Sequence, residues 1–509
     1  MNAFENDTIV AVSTPQGVGG IAVIRLSGRD PEAVLSGCWR GKALDLMVSH
    51  TAHLGKILLD DGSVLDEVVV TLFRSPKSFT GENVVEISCH GSKWIQREIV
   101  NLLVRHGARP AEPGEFTKRA FLNGRLDLAQ AEGVADLIAS SSRAAHRLAM
   151  QQANGKFSEY LDGLRDQLVE FASLLELELD FSEEEVEFAD RTRLRELADK
   201  ILTVIERLSA SYASGRALKE GVPVVIAGAP NAGKSTLLNR LLDEDKAIVS
   251  DIPGTTRDII EDTREIGGIL FRFVDTAGLR QTDDKVERIG IDRAEERLSR
   301  AAIVLWMVDA TGDVAKELEE IKRRVAALPE ARHIVVCNKI DKISVSEGCS
   351  AKDAVKTTFS DTVDGKSALF AAESGLIAAE SDSFAAESDL FADLGSSAQF
   401  GESQAVPFIK ISASTGEGVD ELEKIMTEKV RGMIGEDSDM IVTNARHYAA
   451  LVRGAESLRR ARAALETNLS ADFIAQDIRE TLHYLSTLTG TITTPDLLAS
   501  IFTRFCVGK

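Results

Sequence analysis

The chain has 509 residues, 44% of them hydrophobic, which is enough for several cores and predicts about three domains. Its formal net charge of −21 argues against indiscriminate nucleic-acid binding, because phosphate contacts need Lys and Arg. The five cysteines (Cys38, Cys89, Cys337, Cys349 and Cys506) show no C-x-x-C spacing, so neither a zinc knuckle nor a disulfide framework is expected, and a reducing, cytoplasmic setting fits.

Residues 1–120 read as a mixed or mostly β unit. "TIVAVST", "GIAVIRLSG", "VLDEVVVTLF" and "NVVEISCHG" are short β-branched runs bounded by turn residues. "SKWIQREIVNLLVRHG" reads as a helix ending at Gly107. "GVGGIA" at 17–22 fits a dinucleotide fingerprint only superficially, because a strand follows it where a helix is required. The start shows no basic segment before an apolar stretch, so no secretory signal is expected, and no apolar run reaches the length of a membrane span. His50, His53, His90 and His106 have no metal-ligand spacing.

A helical region follows over 121–216. Leu164, Leu168, Phe171, Leu175 and Leu179 recur every three or four positions, and Leu194, Leu197, Ile201, Val204 and Leu208 repeat the pattern. Over 217–436 continuous apolar strands such as "VPVVIAG", "FRFVDTAG", "AIVLWMVDA", "HIVVCNKID" and "PFIKISAS" alternate with helices, which predicts a doubly wound α/β domain. Helices return over 437–509. The fold class expected is therefore α/β multidomain, with an N-terminal α+β domain, a helical domain, and a P-loop domain inserted into the helical one.

One segment, about 344–405, breaks the rhythm of the inserted domain. "AAES" repeats every seven residues at 371, 378 and 385, and 369–405 holds seven acidic residues and no basic one. A solvated, partly helical or disordered insertion is expected there.

"GAPNAGKST" follows an apolar strand and precedes a helix, the context that a phosphate loop demands. Asn231, Ala232 and Gly233 would turn backbone N–H groups onto the phosphates. Lys234 would reach the β and γ oxygens, and Ser235, with Thr236 behind it, would meet Mg²⁺. "DTAG" (Asp275, Thr276, Ala277, Gly278) offers a carboxylate to the Mg²⁺ shell and an N–H to the γ-phosphate. In "NKID", Asn338 and Lys339 lead to Asp341, whose two oxygens match the N1–H and 2-amino donors of guanine but nothing on adenine. Ser412 and Ala413 close the base site, so the nucleotide is GTP.

Ras-type proteins place a water-orienting Gln after "DTAG"; here that position is Leu279, which neither donates nor accepts. The loop running Ser250, Asp251, Ile252, Pro253, Gly254, Thr255, Thr256 is expected to be the first switch. Its oxygens, with that of Asn231, suit a monovalent cation that replaces an arginine finger. Glu287 in the second switch is either a water-orienting carboxylate or a solvated one.

"GAPNAGKST", "DIPGTTRD" and "DTAGLRQTDDKVERIG" together resemble the MnmE (TrmE) tRNA-modification GTPases. "SFTGENVVEISCHG", "PGEFTKRAFLNGRLDLAQAEGVADLI" and the terminal "FCVGK" extend the resemblance over all but the acidic insertion. It implies a K⁺-stimulated GTPase, with K⁺ at Asn231, Ser250, Ile252 and Thr255, Mg²⁺ at Ser235 and Thr256, and catalysis by Glu287. It further implies an N-terminal domain that dimerises and binds 5-formyl- or 5,10-methylene-tetrahydrofolate through Arg25, Glu86, Arg125 and Lys509. Arg125 stands where the family often has Lys, which keeps the charge and changes the geometry.

The reaction implied is modification of the wobble uridine (U34) of certain tRNAs at C5. A carboxymethylaminomethyl or aminomethyl group is added, with an FAD-dependent MnmG-type partner in a heterotetramer. Arg446, Arg453, Arg459, Arg460 and Arg462 would then either face tRNA or the partner, or form a solvated helix face. Cys506 would act at the one-carbon site. A lipid anchor is disfavoured because Gly508 and Lys509 break the prenylation pattern. A ribosome-assembly GTPase shares the G motifs but would carry a basic RNA-binding domain.

Overall fold

The computed structural model of the protein describes residues 7–15, 17–180, 191–243, 262–274, 297–328, 331–343, 397–399, 405–434, 440–467, 471–503, 505 and 508. The chain divides into two compact units. One comprises Met1–Ser140, Ala145–Tyr212 and Asn444–Lys509; the other comprises Ser141–Ala144 and Ala213–Thr443.

The first unit opens with a seven-stranded sheet. Its strands are β1 (Thr8–Val12), β2 (Ile21–Gly28), β3 (Trp39–Arg40), β4 (Ala52–Leu58), β5 (Val64–Phe73), β6 (Asn83–His90) and β7 (Ala108–Pro110), in the order β3-β4-β5-β6-β2-β1-β7. β1 and β7 run parallel and all other neighbours antiparallel. The four quoted strand runs are β1, β2, β5 and β6. Period-two alternation sends Ala22, Ile24 and Leu26, Val68, Val70 and Leu72, and Val85, Ile87 and Cys89 into one core, which Ile99, Leu102 and Leu103 of the helix Lys93–Arg105 share. Arg25 and Glu86 therefore point to the opposite face, where Ile9, Ala11 and Phe116 form a second, smaller cluster.

The helical part of this unit is assembled from two stretches far apart in the sequence. The helix Ala445–Glu466 packs on Ala471–Thr489 and on Arg191–Ala210, and Ala471–Thr489 packs on Lys156–Asp180. Leu164, Leu168, Phe171 and Leu175 are buried, as their spacing predicts. The second stripe differs in detail. Leu194, Ile201 and Leu208 are buried, but Ala198 and Ile205 complete the row, while Leu197 and Val204 are half-buried at its edge. A helix turns 3.6 residues per repeat, so steps of three drift off the packed side.

The second unit holds β8 (Val222–Gly228), β9 (Asp262–Ile266), β10 (Ile269–Val274), β11 (Ile303–Asp309), β12 (Arg332–Asn338), β13 (Ser397–Gln399) and β14 (Ala405–Lys410). Their order is β13-β14-β12-β11-β8-β10-β9, with β10, β8, β11, β12 and β14 parallel. Ile303 to Val308 are all buried, as a strand covered on both faces requires. β8 lies between β10 on one side and β11 on the other, so the strand order reverses at its carboxyl end, where an open α/β sheet places its ligand. Within the segment read as a solvated insertion, Ser397–Gln399 instead pairs antiparallel with β14 as an edge strand. The rest of 369–404 lies outside the described residues.

Candidate nucleotide-binding site

β8 delivers the chain to Gly228, and the helix Lys234–Asp243 begins six residues after it. Asn231 takes φ +64°, a left-handed conformation that Asn tolerates better than most residues. Gly233 takes φ +99°, and a Cβ there would come within 2.1 Å of Asn338 Nδ2. The loop is thus a close-fitting backbone cradle at a helix N-terminus, the arrangement that receives a phosphate chain. Lys234 Nζ donates to the carbonyls of Gly228 and Ala229, both at 2.8 Å, and so bends back over the loop it serves. Ser235 and Thr236 are exposed at the helix start.

Asn338 ends β12 and is 2% exposed. Its Nδ2 donates to the Ala232 carbonyl at 2.8 Å, and its Oδ1 accepts from the Ala413 N–H at 2.9 Å. Asn338 therefore ties the phosphate loop to the base loop. Asp341 accepts from the Ser412 hydroxyl at 2.7 Å and from the Ser414 hydroxyl at 3.3 Å. The Ser412 bond is the main cause holding its carboxyl below the usual carboxylate range, so it is an acceptor at neutral pH. Lys339, at φ +70°, reaches Asp309 Oδ2 at 2.5 Å. Burial raises the Asp309 carboxyl, and the bonds from Lys339 and Thr311 outweigh it, leaving it lowered.

Residues Asn231 to Thr236, Asn338, Lys339, Asp341, Ser412 and Ala413 are thus brought to one end of one sheet. Ser250 to Thr256, Asp275 to Gly278, Leu279 and Glu287 lie outside the described residues. Three participants were not singled out from sequence: Asp309, Ser414 and Arg240, which donates to the carbonyls of Ala413 and Ser414. Ser414 follows "SA" directly and was within reach of the motif; Asp309 and Arg240 carry no local signal.

In the first unit Arg25 and Glu86 face each other across β2 and β6. Arg25 donates from Nε at 3.0 Å and from Nη2 at 2.8 Å, both to Glu86 Oε1. Its guanidinium stands 5.5 Å from the Phe79 ring centroid and 5.7 Å from that of Phe116. Arg125 lays its stem over Gly81. The Ser13 hydroxyl donates to the Gly508 carbonyl at 3.1 Å, beside β1, whose Ala11 is the neighbour of Arg25. Cys506 and Lys509 lie outside the described residues. Cys38, Cys89 and Cys337 are buried thiols, and burial pushes each up to about 11.

Two family models match the chain: the GTP-binding protein TrmE N-terminus over residues 8–125 and the MnmE helical domain over 128–506. The tRNA modification GTPase MnmE of Cytophaga hutchinsonii is 46% identical over 503 residues, covering 99% of this chain and 98% of the relative. The chain belongs to the MnmE family. The proteins of the same name from Christiangramia forsetii, at 44% identity, and Bacteroides thetaiotaomicron, at 45%, also cover 99% of this chain, and 99% and 100% of their own lengths.

Like its MnmE relatives the chain is a GTPase, and the α/β fold class expected of it holds. Among the described residues, no helix is long and apolar enough to cross a membrane. The arginine run of this MnmE-type helical part is largely engaged within the fold. Arg446 donates to Glu132 from Nε at 2.9 Å and from Nη2 at 2.8 Å, and to the carbonyls of Thr487 and Leu488. Arg459 pairs with Glu206, Arg460 with Asp477 and Glu480, and Arg462 with Asp199 and Glu466. Four of the five arginines thus face carboxylates of their own unit, and only Arg453 is left as an exposed cation of the set with no such pairing described.

Proposed function

We propose that the protein is a K⁺-dependent GTPase of tRNA wobble-uridine modification. With an FAD-dependent MnmG-type partner, it would add a carboxymethylaminomethyl or aminomethyl group at C5 of U34, drawing one carbon from tetrahydrofolate. The observation that carries the reading is the Asn338 bridge. One buried amide holds a phosphate cradle and a guanine-reading carboxylate in register, in a chain 46% identical to a tRNA modification GTPase.

In this reading the phosphates lie on the N–H groups around Gly233, and Lys234 turns from the Gly228 and Ala229 carbonyls to the β and γ oxygens. Ser235 and Thr256 would hold Mg²⁺, which neutralises charge on the leaving phosphate. Asn231, Ser250, Ile252 and Thr255 would hold K⁺, and Glu287 would orient water. The open position of Ser235 and the left-handed turn at Asn231 support the described half of each set. Arg25, Glu86, Arg125 and Lys509 would receive the folate, supported by the half-buried Arg25–Glu86 pair and by Gly508 beside β1. Cys506 would serve the one-carbon chemistry. Residues 1–120 would form the dimerising folate domain of a cytoplasmic homodimer. Residues 121–216 and 437–509 would form the helical domain around the G domain 217–436.

Mass spectrometry of tRNA nucleosides tests this. A strain lacking the protein should lose the C5 modification of U34, and the wild-type chain should restore it. Unaltered nucleosides in the deletion strain would refute the reading.

A further inference from the structure

One helix touches both ends of the nucleotide site. Lys234–Asp243 begins at the phosphate loop, and its Arg240 reaches the base loop. Arg240 Nη2 donates to the Ser414 carbonyl at 2.6 Å, and Nε donates to the Ala413 carbonyl at 3.4 Å. Its guanidinium also lies along Gly416, where a Cβ would sit 3.7 Å from Cζ. From the other side, Arg264 of β9 donates to the Leu241 carbonyl at 2.5 Å and pairs with Glu423 at 2.9 Å, which fixes the far end of the same helix.

The loop held this way is the one that orients Asp341. The hydroxyls of Ser412 and Ser414 both donate to its carboxylate, one to each oxygen. A carboxylate reads guanine N1–H and the 2-amino group only while its plane faces the base edge. Two hydroxyl donors on one rigid loop set that plane. Asn338 holds the loop by the Ala413 N–H, and Arg240 holds it from the helix by two consecutive carbonyls, those of Ala413 and Ser414.

We propose that Arg240 is a positioning residue for guanine selection. It acts through the Ala413–Ser414 backbone to hold the Asp341 carboxylate toward the base. The proposal rests on the GTP reading of the site.

The test measures GDP and inosine diphosphate binding by displacement of a fluorescent GDP from the full-length protein. Inosine diphosphate lacks only the 2-amino group, so the ratio of the two affinities isolates base reading from phosphate binding. Arg240→Ala should weaken GDP about tenfold, on the scale of one hydrogen bond to a charged group. It should weaken inosine diphosphate less, so the ratio narrows. Arg240→Lys should recover part of the ratio, because one donor is retained. A lowered melting temperature with an unchanged ratio would make Arg240 a structural clamp and overturn the proposal. If Arg240→Ala does not fold, Arg240→Lys and Ser414→Ala carry the test, and an unchanged ratio in both overturns it. A wild-type protein that binds neither nucleotide would overturn the GTP reading itself.

Discussion

Asn338 Nδ2 donates to the Ala232 carbonyl across 106 residues of sequence, at 2.8 Å and out of contact with water. The same side chain accepts from the Ala413 N–H, so a single amide sets the distance between the Ala232 loop and the Ala413 loop. Asn338→Ala leaves a buried carbonyl and a buried N–H without partners, at about 1–3 kcal/mol each. We expect GDP affinity to fall at least about tenfold and the melting temperature to drop with it. Titration calorimetry and thermal melting check both, and wild-type affinity in the variant would show that the two loops are held apart from Asn338.

Asp341→Asn exchanges an acceptor pair for one acceptor and one donor. Xanthine carries a carbonyl where guanine carries its 2-amino group, so the amide should favour xanthosine triphosphate over GTP. Competition binding decides the matter. An undiminished preference for GTP would remove Asp341 from base reading.

GTP turnover should rise strongly in KCl over NaCl at equal ionic strength, because Leu279 offers no water-orienting group and Asn231 stands at the loop with an extra oxygen. Glu287→Ala should keep GTP affinity and lose most of the turnover. Steady-state rates in the two salts and single-turnover rates for the variant are the measurements. Equal rates in both salts would exclude the cation from the mechanism, and a fully active variant would make Glu287 a surface carboxylate.

Glu132 is buried between Arg446 and His447, whose Nε2 stands 2.7 Å from its Oε2. Burial alone would raise its carboxyl, but His447 and Arg446 outweigh burial and hold it down at about 2. The folded value lies below the ordinary value of 4.5, so the stabilisation is complete above pH 4.5 and is lost as pH falls through about 2. Its size is about 3 kcal/mol. Glu132→Gln should destabilise the first unit by a comparable ~3 kcal/mol or more, because the Arg446 guanidinium is left without its counter-charge. Its acid-unfolding curve should also be flatter than the wild type's between pH 4.5 and 2. A variant that follows the wild-type curve would show that the ion pair contributes nothing net.

The proposed GTP site was legible because its motifs are written in short runs. Gly233, Lys234 and Ser235 are consecutive, and Asp341 lies three residues after Asn338. Arg240 was not legible, because its partner Ser414 is 174 residues away and bonds through a backbone carbonyl that has no residue signature. The arginines of Ala445–Glu466 show the same limit from the other side. A run of like charges reads as an open cationic face until Glu206 and Asp199 arrive from 253 and 263 residues earlier. Strand runs with period-two burial were legible in the first unit, whereas β4 and β9 were missed; their mixed "AHLGKIL" and "DTREI" lack a continuous apolar face.

Arg446 and Glu132 are separated by 314 residues, and the whole second unit is synthesised between them. At roughly 5–20 residues per second on the ribosome, Glu132 and the stripes headed by Leu164 and Leu194 emerge on the order of 15–60 s before Arg446. During that interval the inserted domain has every strand it needs and can close on itself. The helices Lys156–Asp180 and Arg191–Ala210, by contrast, present Phe171, Leu175 and Ile201 to solvent while the helices Ala445–Glu466 and Ala471–Thr489 that pack on them are still untranslated. Nascent chains stalled before residue 445 should therefore be the aggregation-prone species and the ones that chaperones hold, with the GTP fold already formed on them.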